Sequence, residues 1–114
     1  MMIPFQTIDW SQIPITKHAG ETGTAHWQTQ QISSLRLRLV EYSAGYLADH
    51  WCSLGHVVHC LEGELGIEMQ SGELYMLKAG MTYIVSDDLS THRSRTTQAV
   101  KLFIIDGGFL NSSI

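Results

Sequence analysis

Residues 44–66 read AGYLADHWCSLGHVVHCLEGELG and gather the reactive side chains of this chain into one short segment. The chain has 6 histidines and 2 cysteines, and three of those histidines and both cysteines lie between Asp49 and Cys60. Imidazole and thiolate are borderline-soft donors that suit Zn, Ni, Cu or Fe better than Mg or Ca. The segment therefore predicts a site for a transition metal ion.

The spacing within this segment indicates which donors share a face. Alternate side chains of a strand point the same way, so His50 and Cys52 would face one ion together. After residues 53–55 turn the chain, His56 opens the next strand. His59 lies three residues further and must face the other way, which predicts a packing or interface role for it.

Short apolar runs separated by turn signals surround this segment. From Ser34 to Val40 leucines alternate with Arg36 and Arg38, which predicts a half-buried strand with the arginines on a solvated face. A hairpin is predicted at residues 71–72, because Gly72 can take the conformation of a tight reversal. Further strands are predicted at 57–61, 65–69, 74–77, 82–85 and 100–105. No long window keeps a helical period, so we expect an all-β sandwich or small antiparallel barrel.

Length and composition limit the class of protein. A chain of 114 residues suits one domain. Its net charge of −4 and pI of about 5.8 argue against a nucleic-acid partner. No apolar run approaches the roughly 18 residues of a membrane span, so no membrane partner is expected. Residues 1–10 do not resemble a secretory signal, so we expect a cytoplasmic protein with reduced thiols.

Residues 44–66 resemble the first motif of the cupin superfamily. In that motif a Gly precedes an H-x-H pair, a Glu, and a strand that ends in a turn like the L-E-G-E sequence at 61–64. In the register that this turn sets, Cys52 stands where the family places its second His. His56 stands where the family places its Glu ligand.

Residues 78–92 resemble the second cupin motif, in which a Gly, a Pro-x-Gly turn and a His follow in order. Here Ser86 and Asp88 replace the Pro and the Gly, and one extra residue precedes His92. On spacing alone His92 would be read as a surface residue. The resemblance implies that it is a metal ligand.

The resemblance implies one cupin domain over residues 1–114, an antiparallel jelly-roll barrel that binds a small molecule in its interior. An N-terminal strand or arm would cover about residues 1–30 and the barrel about 31–110. The D-H-W-C sequence at 49–52, with Trp27, is more narrowly similar to small cupins that carry an Asp-His-Cys-Trp motif. A homodimer is expected, since small barrels leave sheet edges to be covered. The predicted ligands of one divalent transition metal ion are His50, Cys52, His56 and His92.

These ligands leave the function open. An ion with four protein ligands is closed, as in structural sites, whereas a catalytic ion keeps a free position. The chain could be a small-molecule metalloenzyme, or a non-catalytic ligand-binding or regulatory module in which the metal is structural; a third alternative is that no metal binds. Cys52 could be a ligand or an active-site thiol. Zn or Ni is favoured over Fe or Mn, because a thiolate beside redox iron risks oxidation.

The remaining candidates are predicted to be structural. Cys60 is expected to be a small buried hydrophobe, as free cysteines commonly are. His18 and His26 are expected on strands or at the surface. The large aromatic residues are expected in the core or at an interface, and they are Trp27, Trp51, Tyr42 and Tyr83.

Overall fold

The computed structural model describes residues 2–111 and is built almost entirely from strands, which confirms the predicted all-β class. Residues 1 and 112–114, which the predicted domain includes, lie outside the described residues. Short 3-10 helices span Trp10–Gln12 and Gly108–Leu110. The strands are β1 Thr16–Ala19, β2 Thr24–Ile32, β3 Leu35–Tyr42, β4 His56–Glu62, β5 Glu64–Met69, β6 Leu74–Lys78, β7 Thr82–Val85, β8 His92–Arg95 and β9 Val100–Gly107. Within residues 2–111, no helix has the length and apolar character needed to cross a membrane.

The strands form two antiparallel sheets that enclose one apolar core. The larger sheet has the order β1-β2-β3-β9-β4-β7 and the smaller one the order β6-β5-β8. Five strands contribute alternate residues to the core, as expected where each sheet turns one face inward. The most deeply buried core side chains are Val40, Val58, Cys60, Leu65 and Leu102. This arrangement is the predicted jelly roll.

The strands predicted from alternating and apolar runs are all present, and the hairpin at residues 71–72 joins β5 to β6. The turn between β4 and β5 depends on Gly63, whose φ of 82° lies in the left-handed region where a side chain is strained. Sequence reasoning expected only an undivided strand or arm over about residues 1–30, where the structure has β1 and most of β2, and it missed β8; all three strands are rich in polar residues and carry no clean apolar alternation. The six-stranded sheet begins at Thr16, so the boundary predicted near residue 30 falls inside β2.

Strand β3 lies where it was predicted, but its two faces are exchanged. Arg38 is only 6% exposed and points inward, while Leu37 and Leu39 lie half-buried on the outer face. The predicted solvated face for the arginines is therefore wrong. The cause is Asp106 on β9, which pairs with Arg36 and with Arg38 at 2.8 Å in each case. A buried cation is tolerated when such a partner compensates it, and this partner is remote in sequence.

Candidate functional site

Cys52, His56 and His92 converge at one end of the barrel. One ligand atom from each can be chosen so that all three lie within 4.8 Å of one another. His56 and His92 are the first residues of β4 and β8, and Cys52 lies in the connection between β3 and β4. The backbone N–H of Cys52 donates to His92 O at 2.8 Å, and the N–H of His92 donates to Cys52 O at 3.0 Å. This pair of hydrogen bonds fixes the connection beside β8 and places the thiol next to both rings.

Each imidazole is oriented by a second residue. Nδ1 of His56 lies 3.1 Å from an Asp106 carboxylate oxygen, and Nδ1 of His92 lies 3.0 Å from Ser90 Oγ. Both rings thereby keep Nε2 for another partner, and Nε2 of His56 lies 3.6 Å from Cys52 Sγ. Metal-binding histidines are held in this manner in proteins, with the second nitrogen engaged by a carboxylate or another polar group.

The structure brings together three of the four predicted ligands. His50 does not join the cluster: its side chain is 75% exposed and its Nδ1 lies 2.6 Å from Asp49. The strand geometry assumed for residues 50–52 is absent, since Cys52 forms only an isolated bridge. His50 still lines the cavity next to the cluster, so a role as fourth ligand stays a prediction.

The other histidines and the second cysteine lie away from the cluster, as predicted. His59 faces outward from β4 and its Nδ1 lies 2.8 Å from Thr82 Oγ1. Cys60 is fully buried in the core. His18 stacks on Trp27 between β1 and β2, with 3.8 Å between ring centroids, and His26 is exposed on β2.

A cavity of about 280 Å³ opens beside the cluster and is lined by all three of its residues. One part of its wall is apolar and consists of buried residues such as Val58, Leu65 and Leu102. Another part is polar and cationic, with contributions from Arg36, Arg38, Tyr42 and Arg93. The cluster thus borders a space in which a small molecule could contact it.

Cys52 and His56 shift each other's pKa toward the charged forms, a thiolate and an imidazolium. A hydrogen bond with His56 lowers the pKa of the Cys52 thiol, although burial opposes the shift. Burial lowers the pKa of His56, but hydrogen bonds with Asp106 and Cys52 outweigh it and the pKa is raised. Burial, and then the neighbouring charge of His56, lowers the pKa of His92. The shifts therefore favour the charged forms of Cys52 and His56, and the neutral form of His92, more than ordinary surroundings would.

Asp106 holds the site together electrostatically. Burial alone would raise the pKa of this carboxyl, but hydrogen bonds from His56 and Arg36 and the charge of Arg38 hold it well below its ordinary range. Sequence reasoning missed both Asp106 and Ser90. A signal existed for Asp106, since an acidic residue that ends an apolar run beside Gly107 is unusual for a strand interior.

The chain's fold matches solved structures over most of its length. An RmlC-like cupin from Shewanella frigidimarina has a TM-score of 0.75 and 16% identity, covering 94% of this chain and 94% of that chain. A predicted oxalate decarboxylase from Thermotoga maritima has a TM-score of 0.76 and 12% identity, covering 90% and 98%. Ectoine synthase from P. lautus has a TM-score of 0.68 and 22% identity, covering 90% and 78%. No protein-family model matches the chain, and no curated protein matches it in sequence.

At these identities the similarity shows the fold alone. The chain has the cupin fold, which confirms the resemblance found in the sequence at that level. The narrower resemblance to cupins with an Asp-His-Cys-Trp motif stays a prediction.

We predict that Asp106→Asn lowers the free energy of unfolding at pH 7 by about 3–5 kcal/mol, because it leaves the buried guanidinium of Arg38 and the partly buried one of Arg36 without their anion. Urea denaturation measures the change. The depressed pKa of Asp106 means that its contribution is present above the unfolded-state value of 3.8 and is lost as the pH falls through the folded-state value, so the difference between the proteins should shrink in acid. Asp49→Asn, at an exposed contact with His50, is the control and should cost less than about 1 kcal/mol. Equal losses from both substitutions would contradict the prediction.

We predict that Cys52 of metal-free protein reacts with iodoacetamide at a lower pH than an ordinary thiol, because His56 stabilises its thiolate. Mass spectrometry after timed alkylation at a series of pH values gives the midpoint of reaction. His56→Gln should move this midpoint upward. Cys60, whose pKa is raised by burial, is the internal control and should stay unmodified. A midpoint for Cys52 that His56→Gln leaves unchanged would refute the assignment.

Proposed function

We propose that this chain binds one divalent transition metal ion through Cys52, His56 and His92 and presents it to a small molecule in the adjoining cavity. The observation that carries the proposal is the approach of three donor atoms to within 4.8 Å of one another at the wall of that cavity. The donor set fits the ion, because a thiolate and two imidazoles with engaged Nδ1 atoms are typical ligands of Zn and Ni. The cytoplasm is the location we propose, since Cys52 must stay reduced to bind metal.

Three protein ligands favour an open site. A tetrahedral ion with three protein ligands keeps a fourth position for water or substrate, as catalytic zinc sites do. When bound, such an ion would act as a Lewis acid that polarises a carbonyl or lowers the pKa of water. The chain's own contribution would be to hold the ligands through Asp106 and Ser90. The cupin fold is compatible with catalysis, since an ectoine synthase shares it. We therefore propose a small-molecule metalloenzyme as the first function.

The alternative function is a ligand-binding or regulatory module in which the metal is structural. It requires a fourth protein ligand, and His50 is the candidate, since it lines the same cavity. His50 would have to leave Asp49, and its exposed side chain is free to turn. A closed ion of this kind would stabilise the barrel end without taking part in chemistry.

We predict that untagged protein contains about one Zn or Ni ion per chain, which elemental analysis measures. His56→Ala and Cys52→Ser should each lower the metal content and abolish the rise in melting temperature that metal gives. His59→Ala and Cys60→Ala are matched controls on β4, and both should keep the metal. Absence of metal, together with identical melting with and without a chelator at neutral pH, would contradict the proposal.

We predict that azide changes the visible absorption spectrum of the Co²⁺-loaded protein, because an ion with three protein ligands exchanges its remaining ligand. His50→Ala should leave both metal content and the azide response unchanged. A spectrum that azide leaves unaltered in the unmodified protein, but alters in His50→Ala, would instead support the closed structural site.

We also propose a homodimer, in which a second copy covers the edges formed by β6 and β7. Both strands lie at sheet edges, and exposed edges with apolar side chains favour association. Met76, Met81 and Ile84 are exposed there and line a groove of about 390 Å³.

We predict a sedimenting mass of twice 12.8 kDa for the unmodified protein. Ile84→Lys should shift the protein toward the monomer, since a charge in an apolar interface is poorly compensated. Ile15→Lys changes an exposed residue that lies outside β6, β7 and the groove, so as the control it should stay dimeric. A clean 12.8 kDa species for the unmodified protein would eliminate the proposed dimer.

A further inference from the structure

The cavity beside the cluster of Cys52, His56 and His92 is lined by three arginines and, among the described residues, by no carboxylate. The guanidinium groups of Arg36 and Arg38 line it together with Cys52. Among the described residues, Asp106 is the only carboxylate that pairs with either arginine. The same carboxylate also contacts Nδ1 of His56. Two full cations therefore share one carboxylate, which is already engaged by a third partner. The other anion nearby is the Cys52 thiolate, which belongs to the cluster itself.

Arg38 is the more deeply placed of the two arginines. Its side chain is 7% exposed, and its guanidinium carbon lies 4.7 Å from the centroid of the Trp27 ring. Burial, and then the charge of Arg36, lowers the pKa of Arg38, although Asp106 opposes the shift. Its Nε–H group is buried and has no hydrogen-bond partner among residues 2–111. A desolvated guanidinium with spare donors is a group with which proteins bind carboxylates.

Arg93 lines the same cavity but is better compensated. Its guanidinium bonds to Glu68 at 3.1 Å and lies 3.8 Å from Glu21. It also lies over the Trp51 ring, 4.4 Å from the centroid. Its Nε–H group, like that of Arg38, is buried and has no hydrogen-bond partner among the described residues. The two arginines differ instead in charge: Arg93 has two carboxylates beside it, whereas Arg38 shares Asp106 with Arg36 and His56. Arg38 is therefore the less compensated cation of the two.

We propose that the cavity binds a small organic acid whose carboxylate pairs with the guanidinium of Arg38. This inference rests on the proposed function, because the remaining part of the organic acid would lie toward the metal ion bound by Cys52, His56 and His92. The apolar wall formed by Val58, Leu65 and Leu102 favours an organic acid over an inorganic anion. The volume of about 280 Å³ restricts the ligand to a small molecule.

Calorimetric titration of the zinc-loaded protein tests the ligand class. The probes are acetate, pyruvate and succinate, with acetamide and succinamide as neutral isosteres of two of them and inorganic phosphate as the competing anion. We expect acetate or succinate to bind about tenfold or more tightly than its amide, because the amide cannot make the charge-assisted pair. Absence of binding by all three acids overturns the proposal, as does tighter binding of phosphate than of every acid.

Variants of Arg38 test the assigned residue. Arg38→Gln should weaken binding of the tightest acid by about 10-fold to 100-fold. Arg95→Gln, which removes an exposed arginine outside the cavity lining, should change the affinity by less than about twofold. Arg38→Lys keeps a charge beside Asp106 but lacks the planar donor pair, so it should fold and still bind the acid more weakly. If Arg38→Gln does not fold, Arg38→Lys decides, and unchanged affinity in that variant overturns the assignment.

The same titrations on metal-free protein separate this inference from the proposed function. Binding of acid that depends on Arg38, in a protein that takes up no zinc, would uphold the carboxylate site and refute the metal site. Stoichiometric zinc with no binding of any acid would do the reverse.

Discussion

The Asp106 carboxylate is the constraint on which the rest of the site depends. It pairs with Arg36 and Arg38 and contacts Nδ1 of His56, so it joins β9 to β3 and to β4. A buried guanidinium would be strongly destabilising without such an anion. The same carboxylate that permits arginines inside the barrel also directs the His56 ring toward Cys52. Asp106 therefore contributes both to the stability of the core and to the orientation of a donor side chain.

The remaining geometry comes from backbone pairing. Cys52 lies outside the regular strands, yet two backbone hydrogen bonds pair it with His92 in an antiparallel bridge. Together with Ser90 and Asp106, this pairing fixes the donors through hydrogen bonds that the polypeptide supplies by itself. Such preorganisation favours metal binding, because little ordering is left to occur when the ion arrives.

The sequence predicted the apolar strands and two members of the donor cluster, because both depend on local patterns. Alternation revealed the apolar strands, and the crowding of donors revealed Cys52 and His56. His92 could be found only through the cupin register, since nothing near it in sequence marks it as a ligand. The inward face of Arg38 could not be predicted, because its partner lies 68 residues away. His50 was predicted beside Cys52 on the assumption of an extended strand, and the chain there is irregular.

The register of β3 against β9 places Arg36 opposite Asp106, which lies 70 residues later in the chain. During synthesis the ribosome releases the N-terminal strands first, and domains fold once their long-range partners are available. The donors at positions 52, 56 and 92 would thus leave the exit tunnel before the carboxylate that orients one of them. A nascent chain would carry unpositioned thiol and imidazole groups until β9 docks, so the order of translation itself delays assembly of the donor cluster to the final stage of folding.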